Sequence, residues 1–579
     1  MDALKPLPAE PQPESSSRKP KLELETVVAM VVTGWVATLL ILTMLNAGPL
    51  WRDETNTINV AQMPSLKEMW SNMSFESFPA LWLLLLRGWS MLGMADSDAG
   101  IRVLVLFVGL FFLGSLWLCR RWTGGRAPIL SLALLGSLPA FIFTLGSNRA
   151  YGLAMCLLVL TFGTIWRMVQ CPCRSRIIWT TVSSILFLHC LYYDGAFLCA
   201  MLFGAVLVVV RRQQWKTLAA LVGIGAVAGL SMLIYIPVIR RSSPYLPLFQ
   251  MPFHFPMLWG RLRQAVTAQC TAYLGAPPGP EIWVWVFLVF FGIAVAARMQ
   301  IPSFRGARKQ QLENSTPLGA PNAQAGADLA LFSGVSMLCG TAGYICFLLK
   351  LQFPTEPWHY IGMLTLCAVS LDGVLSAPWP APRPWGLLRI GFLALMMTWG
   401  ASSVSEEAQT RRSNVDLIAA VLGTKAAAGD LIVVHSAWEG ITFDRYYRGR
   451  AKWMTVPPIT SHKVHRGDLM WEMLNQQDPM APLLAEITGT LRNGNNVWVA
   501  GNVVLLRSGK APPALPPPPT LPTKWWLAPY MRHWSLELTA HLAGCSEQVV
   551  TLEIPVDRPV SSLENRTLLE FSGHRSGEN

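Results

Sequence analysis

Charge is what this sequence has least of. Only 14% of its 579 residues are Asp, Glu, Lys or Arg, against 52% that are apolar, and mean hydropathy is +0.37. A chain this apolar is excluded from the ordinary soluble class. Paired cysteine spacing is missing too: the 11 cysteines are scattered, most of them inside apolar runs, which excludes a disulfide framework. Cys171-Pro-Cys173, set among Arg167, Arg174 and Arg176, reads as two loop cysteines rather than a metal or redox site. No cluster of hard ligands surrounds the acidic residues of interest, so the sequence demands no metal and no cofactor. A net charge of +12 comes without a basic-aromatic groove pattern, which removes nucleic acid as a partner. The polar first 26 residues, rich in Pro and Ser, lack the short apolar core and cleavage site of a signal peptide. The apolar segment that follows is therefore expected to stay in place as an anchor.

What is there is a series of apolar runs near the ~20 residues that a ~30 Å hydrocarbon layer requires. Eleven are expected to cross: Val27–Ala47, Ile101–Cys119, Ala127–Leu145, Tyr151–Ile165, Ile177–Leu191, Ala196–Val210, Leu218–Val238, Ile282–Ala297, Leu329–Leu349, Tyr360–Leu375 and Trp385–Ala401. The 24 tryptophans suit a chain with many membrane interfaces. Phe78–Leu92 is short, and Arg87-Gly88 interrupts it. The positive-inside rule decides its placement, because basic clusters near span ends share the cytoplasmic side. Five clusters occur: Arg18-Lys19 with Lys21, Arg120-Arg121 with Arg126, Arg167 with Arg174 and Arg176, Arg211-Arg212 with Lys216, and Arg298 with Arg305, Arg308 and Lys309. They agree only if Phe78–Leu92 does not cross, so it is expected to lie on the outer face as an interfacial helix.

The fold class expected is thus a mostly α, polytopic membrane protein. Residues 1–26 form a cytoplasmic tail and 27–401 the membrane domain, with 48–100 an outer loop carrying interfacial helices. After Ala401 the composition turns soluble. Helical spacing over Val415–Leu422 and Thr442–Tyr447 alternates with strand-like Leu431–Val434, Val497–Val499 and Val549–Ile554. That predicts an α/β domain over 402–579, outside the membrane, with Pro512–Pro522 as a stiff connector and Ser572–Asn579 as a disordered tail.

The parity count collects several polar groups on the outer face. Asp53 and Glu54 stand just past the first span, where partial desolvation would raise the proton affinity of a carboxylate and make it a better general base. Arg149 and Tyr151 open the fourth span, an arrangement that can hold an anionic group or anchor the helix end. Tyr192, Tyr193 and Asp194 follow the fifth span as substrate-lining candidates. Arg240 and Arg241 lie in the long outer loop Ile239–Glu281, and guanidinium is the fork-shaped donor suited to phosphate head groups. His359 and Tyr360 start a late span.

A first span, an outer Asp-Glu, a Pro-headed apolar helix, an Arg-started second span ending in Arg-Arg, and then an outer Arg-x-Tyr together resemble the GT-C glycosyltransferases of the protein O-mannosyltransferase and aminoarabinose transferase type. The resemblance covers about Val27–Val210. It implies a polyprenyl-phosphate-linked sugar donor and a lipid, glycan or protein acceptor. Asp53 would be the catalytic carboxylate and Glu54 its companion, with Arg149 and Tyr151 in the donor or acceptor pocket. Two departures stand out. The family's Pro-Pro-Leu-like head is Phe78-Pro79-Ala80-Leu81 here, and its late outer Arg-Tyr, associated with the carrier phosphate, is His359-Tyr360. A charged His could take over the phosphate contact, with help from Lys350 or the basic outer loop. Few glycosylation sequons and the absence of a signal peptide point to a bacterial inner membrane. The competing reading is a transporter or flippase using the acid pair as a gate, against which stands the absence of an inverted repeat.

Overall fold

The computed structural model describes residues 23–251, 253–267, 279–310, 320–376, 383–504, 514–515 and 526–575. The polar tail up to residue 22, most of the Pro512–Pro522 connector and residues 576–579 lie outside this set.

The chain opens with α1 (Leu24–Asn46), whose 23 residues rise about 34 Å, enough for a bilayer core. Gly48, at φ +67°, turns the chain where a side chain would be strained. Three short helices follow: α2 (Arg52–Ala61), α3 (Leu66–Asn72) and α4 (Ala80–Met91). The longest of these, α4, has 12 residues and rises only about 18 Å, too little to cross. Its Arg87 donates to the carbonyls of Ala61, Met63 and Pro64, pinning α4 to the segment that joins α2 and α3. It therefore lies on the same side of the molecule as they do. Next comes α5 (Asp98–Trp122), started by Ser97, whose Oγ accepts the Gly100 N–H at 3.1 Å.

The expected span Ala127–Leu145 is broken into α6 (Ile129–Gly136) and α7 (Pro139–Leu145), because Pro139 has no N–H to continue the ladder. Asp372 accepts the Leu130 and Ser131 amides at 3.1 and 2.9 Å, capping the start of α6. The membrane part continues with α8 (Tyr151–Gln170), α9 (Arg174–Leu188), α10 (Asp194–Arg211), α11 (Trp215–Ser231), α12 (Ile236–Ser242), α13 (Phe255–Val266), α14 (Glu281–Gln310), α15 (Ala320–Leu351), α16 (Ile361–Ser376) and α17 (Arg383–Gln409). Among the described residues, nine stretches are long and apolar enough to cross a membrane by length and composition: α1, α5, α8, α10, the α11–α12 run, and most of α14, α15, α16 and α17. The broken α6–α7 pair and the 15-residue α9 occupy the other two expected places. α8 is the buried centre, packed against α5, α9, α10 and α16. Around it the outward faces stay apolar, with Phe107 and Phe111 of α5 and Trp283, Phe287 and Phe290 of α14 exposed.

The remainder is an α/β unit: α18 (Val415–Lys425), β1 (Leu431–Val434), α19 (Gly440–Tyr446), β2 (Lys452–Thr455), α20 (Gly467–Asn475), α21 (Ala481–Arg492), β3 (Val497–Ala500), α22 (Ala528–Cys545), β4 (Ser546–Leu552) and β5 (Leu568–His574). The sheet order is β2-β1-β3-β5-β4, parallel across the first three and antiparallel beyond. Alternate residues explain its two layers. Leu431, Val433, Val497 and Val499 pack with α21 and α22, while Ile432, Val434, Trp498 and Ala500 pack with α18 and α19. Two strands were not expected. Lys452–Thr455 is too short and half-exposed to stand out as β2, and β5 takes Ser572–His574 out of the supposed tail.

The α/β unit is clasped to the segment between α1 and α5. The Tyr446 hydroxyl accepts the Leu50 N–H and donates to Asp98, which also pairs with Arg445 at 2.6 Å. Glu564 accepts the Arg52 N–H at 3.2 Å, Asn59 donates to the Lys463 carbonyl at 2.8 Å, and Tyr245 of the long loop after α12 is built into the domain's core.

Candidate active site

The site is assembled where α2 starts. Glu54, the third residue of that helix, accepts the Trp51 N–H at 3.3 Å, so the side chain helps to cap the helix it belongs to. Its other oxygen accepts the Asn148 N–H at 2.6 Å, and Arg102 lies 3.6 Å away. Glu54 is fully buried and its oxygens are occupied by these donors. It ties α2 to the turn before α8.

Asp53 points the other way and is partly open. Its Oδ1 lies 3.3 Å from Nε2 of His465 and 3.5 Å from Nε of Arg52. Since an ionised carboxylate only accepts, Nε2 is the donor of that pair. His465 is held by its own backbone, whose N–H donates to Asn56 Oδ1 at 2.8 Å, and by the edge of Trp438. Its Nδ1 is buried with no hydrogen-bond partner among the described residues. Desolvation pushes the Asp53 carboxyl up, but the His465 hydrogen bond and the charges of Arg149 and Arg52 outweigh it and hold the group well below the usual carboxylate range. This reverses the expectation of raised proton affinity: the acid is flanked by donors that no local reading of the sequence brings near.

Arg149 is buried beside Asp53. Nη1 donates to the Asp53 carbonyl at 3.0 Å, to Thr57 Oγ1 at 2.7 Å and to Glu76 Oε1 at 3.0 Å, while Nη2 donates to Ser77 Oγ at 2.8 Å. Burial disfavours its charge, yet Glu76 and Asp53 more than compensate and raise its proton affinity. It is thus a permanent cation already paired to Glu76, not one held open for an incoming anion. Glu76 escaped the sequence reading because it sits in a short polar stretch without periodicity; its oxygens also accept from Asn56 and Thr57.

His359 departs from expectation as well. Its Nδ1 accepts the Glu356 N–H at 2.8 Å, which leaves the ring proton on Nε2 and the imidazole neutral rather than charged for phosphate. Tyr360 is buried, its hydroxyl 2.6 Å from Thr355. The His359 ring meets the edge of Tyr151, and Trp358 stacks on Phe143 and meets the edge of Trp51, giving an aromatic floor beside the start of α2. Tyr151, Tyr193 and Asp194 line one narrow cavity of about 10 Å³ together with Trp358. These candidates converge. Tyr192 turns aside to the ring of Tyr235, and Arg240 and Arg241 are exposed on α12, where Arg241 donates to the Trp70 carbonyl at 3.1 Å. Among the described residues no group of three His, Cys, Asp or Glu is arranged to hold a metal.

Fold and site together define a multi-pass membrane protein with an α/β domain closed over a polar site at one end of its helix bundle. No family model and no curated protein matches the chain. Among solved structures it is similar to ArnT from Cupriavidus metallidurans bound to undecaprenyl phosphate, at 14% identity over 93% of this chain and 97% of that one, with a TM-score of 0.47. The apo state of the same protein is 16% identical over 81% of this chain and 92% of that one, with a TM-score of 0.37.

Proposed function

We propose that the chain is an inverting membrane glycosyltransferase that moves a sugar from a polyprenyl-phosphate carrier to an acceptor hydroxyl on the outer face of a cell inner membrane. The observation that carries this reading is Asp53, an ionised and partly open carboxylate held between His465 and Arg52 where the spans end, with Arg149 donating to its backbone carbonyl. An acceptor hydroxyl that has begun to bond to the anomeric carbon becomes strongly acidic, so even a weakly basic carboxylate can take its proton late in the step. The ionised form also orients that hydroxyl beforehand. The bond formed is from the acceptor oxygen to the anomeric carbon, the bond broken is that carbon's bond to the carrier phosphate, and the proton goes to Asp53.

Glu54, Arg149 and Glu76 position Asp53. Arg52, next to it and partly open, faces the leaving phosphate, with Arg240 and Arg241 supplying positive field from the α12 end. In this reading the N-terminus is cytoplasmic and the α/β domain lies outside. A flippase would place its ionisable residues near the bilayer midplane; here Asp53, Glu76, Arg149 and His465 gather at the ends of spans.

Purified protein given a labelled polyprenyl-phosphate sugar should transfer it, and Asp53→Asn should lower turnover by at least about 100-fold. Undiminished transfer by the variant rejects the assignment.

A further inference from the structure

At the far end of α8 lies a second polar cavity, of about 400 Å³, lined by Leu118, Arg121, Trp122, Arg167, Gln170 and Arg176. Its volume falls within the ~300–1,000 Å³ usual for small-molecule pockets. Tyr151, the first of the 20 residues of α8, adjoins the Asp53 site, and Gln170, the last, lines this cavity, so the two are separated by about 30 Å, one hydrocarbon thickness. The cavity therefore opens at the other membrane boundary.

Three guanidinium groups meet there. Among the described residues, no carboxylate lies within ion-pair distance of Arg121, Arg167 or Arg176, whereas Arg211 and Arg212 are paired to Asp328 and Arg389 to Glu25. Arg167 is held over the Trp122 ring at 5.0 Å, and Arg176 is oriented by donating to the Arg167 and Cys171 carbonyls at 2.9 and 3.0 Å. Two arginines are thus fixed in place while their charge is left uncompensated by acid. On both sides the cavity adjoins apolar surface: Phe107, Leu110, Phe111 and Leu118 are exposed along α5, and Ile178, Trp179, Val182 and Leu186 along α9.

We propose that this cavity binds the phosphate head group of an anionic membrane lipid, with its acyl chains lying along the exposed faces of α5 and α9. Converging guanidinium groups supply the charge and the paired donors that a phosphodiester accepts. Gln170 and the Trp122 indole complete a polar, interface-suited rim, and the flanking apolar strips are what distinguish a lipid from a free phosphate.

The test uses full-length protein in phosphatidylcholine nanodiscs, with and without phosphatidylglycerol, read by native mass spectrometry for retained lipid and by the thermal midpoint. Wild type should retain phosphatidylglycerol and melt higher with it. The triple variant Arg121→Gln, Arg167→Gln, Arg176→Gln should retain it on the order of 100-fold more weakly, at about fivefold per arginine, and lose the rise in midpoint. If the triple variant does not fold, Arg121→Gln, at the exposed edge, should show the fivefold loss alone. Equal retention by wild type and variant overturns the site. Equal protection by inorganic phosphate in phosphatidylcholine discs overturns the assignment to a lipid.

Discussion

Asp53 shows how an acid at a membrane boundary can be made more acidic rather than less. Burial works against its charge, and His465 wins it back. Replacing His465 with Ala leaves desolvation less opposed, so the carboxyl should titrate at a higher pH, and the acid limb of the pH–rate profile should move upward while KM for the donor stays close to wild type. An unmoved acid limb would mean that the pair is only a packing contact. Asp53 and its first-span setting were legible in the sequence, because an acid pair next to a long apolar run is a local pattern. His465 and Glu76 were not: one is 412 positions away and the other lies in an aperiodic stretch, and neither local propensity nor charge spacing brings them to the site. Arg149 was found for its place but not for its partner.

Elements were more readable than contacts. Each expected span corresponds to a helix or a helix pair, since twenty apolar residues leave the backbone few alternatives. The exception, the break between α6 and α7, was written in Pro139, with Asp372 capping the segment from a distant helix. The non-crossing α4 follows from its length and from Arg87. Arg87→Ala would strip three carbonyls of a donor and should cost about 1–3 kcal/mol, measured as a lower thermal midpoint in detergent. A topology reporter placed at Asp96 should signal from outside the cytoplasm, and a cytoplasmic signal would overturn the proposed orientation. Short strands were harder: β2 pairs at the sheet edge with only four residues, and its register comes from β1 rather than from its own pattern.

For the whole molecule, the decisive feature is the seam between the bundle and the α/β domain. Glu564 sits in it, fully buried, with Glu439 nearby. Burial first and the charge of Glu439 second push its carboxyl up to about 7. Because its folded pKa is raised, its contribution to stability is present in full below the unfolded value near 4.5 and is lost as pH rises through about 7. The change amounts to about 3 kcal/mol. Glu564→Gln, which keeps an acceptor for Arg52 and Thr442, should flatten the fall in thermal midpoint between pH 5 and about 8; a fall as steep as in wild type would exclude this group as its source. Asp98→Ala removes the partner of Arg445 and Tyr446 and should make the α/β domain more sensitive to limited proteolysis without changing how the helices insert.

The Asp53–His465 contact joins two residues made 412 positions apart. A ribosome delivers them far apart in time. The bundle can be inserted and folded while its carboxylate still lacks the imidazole that sets its acidity, and the missing half arrives only with the α/β domain. A bundle made without that domain would hold Asp53 without its imidazole partner, so the order of synthesis itself postpones the completed contact until the α/β domain has folded.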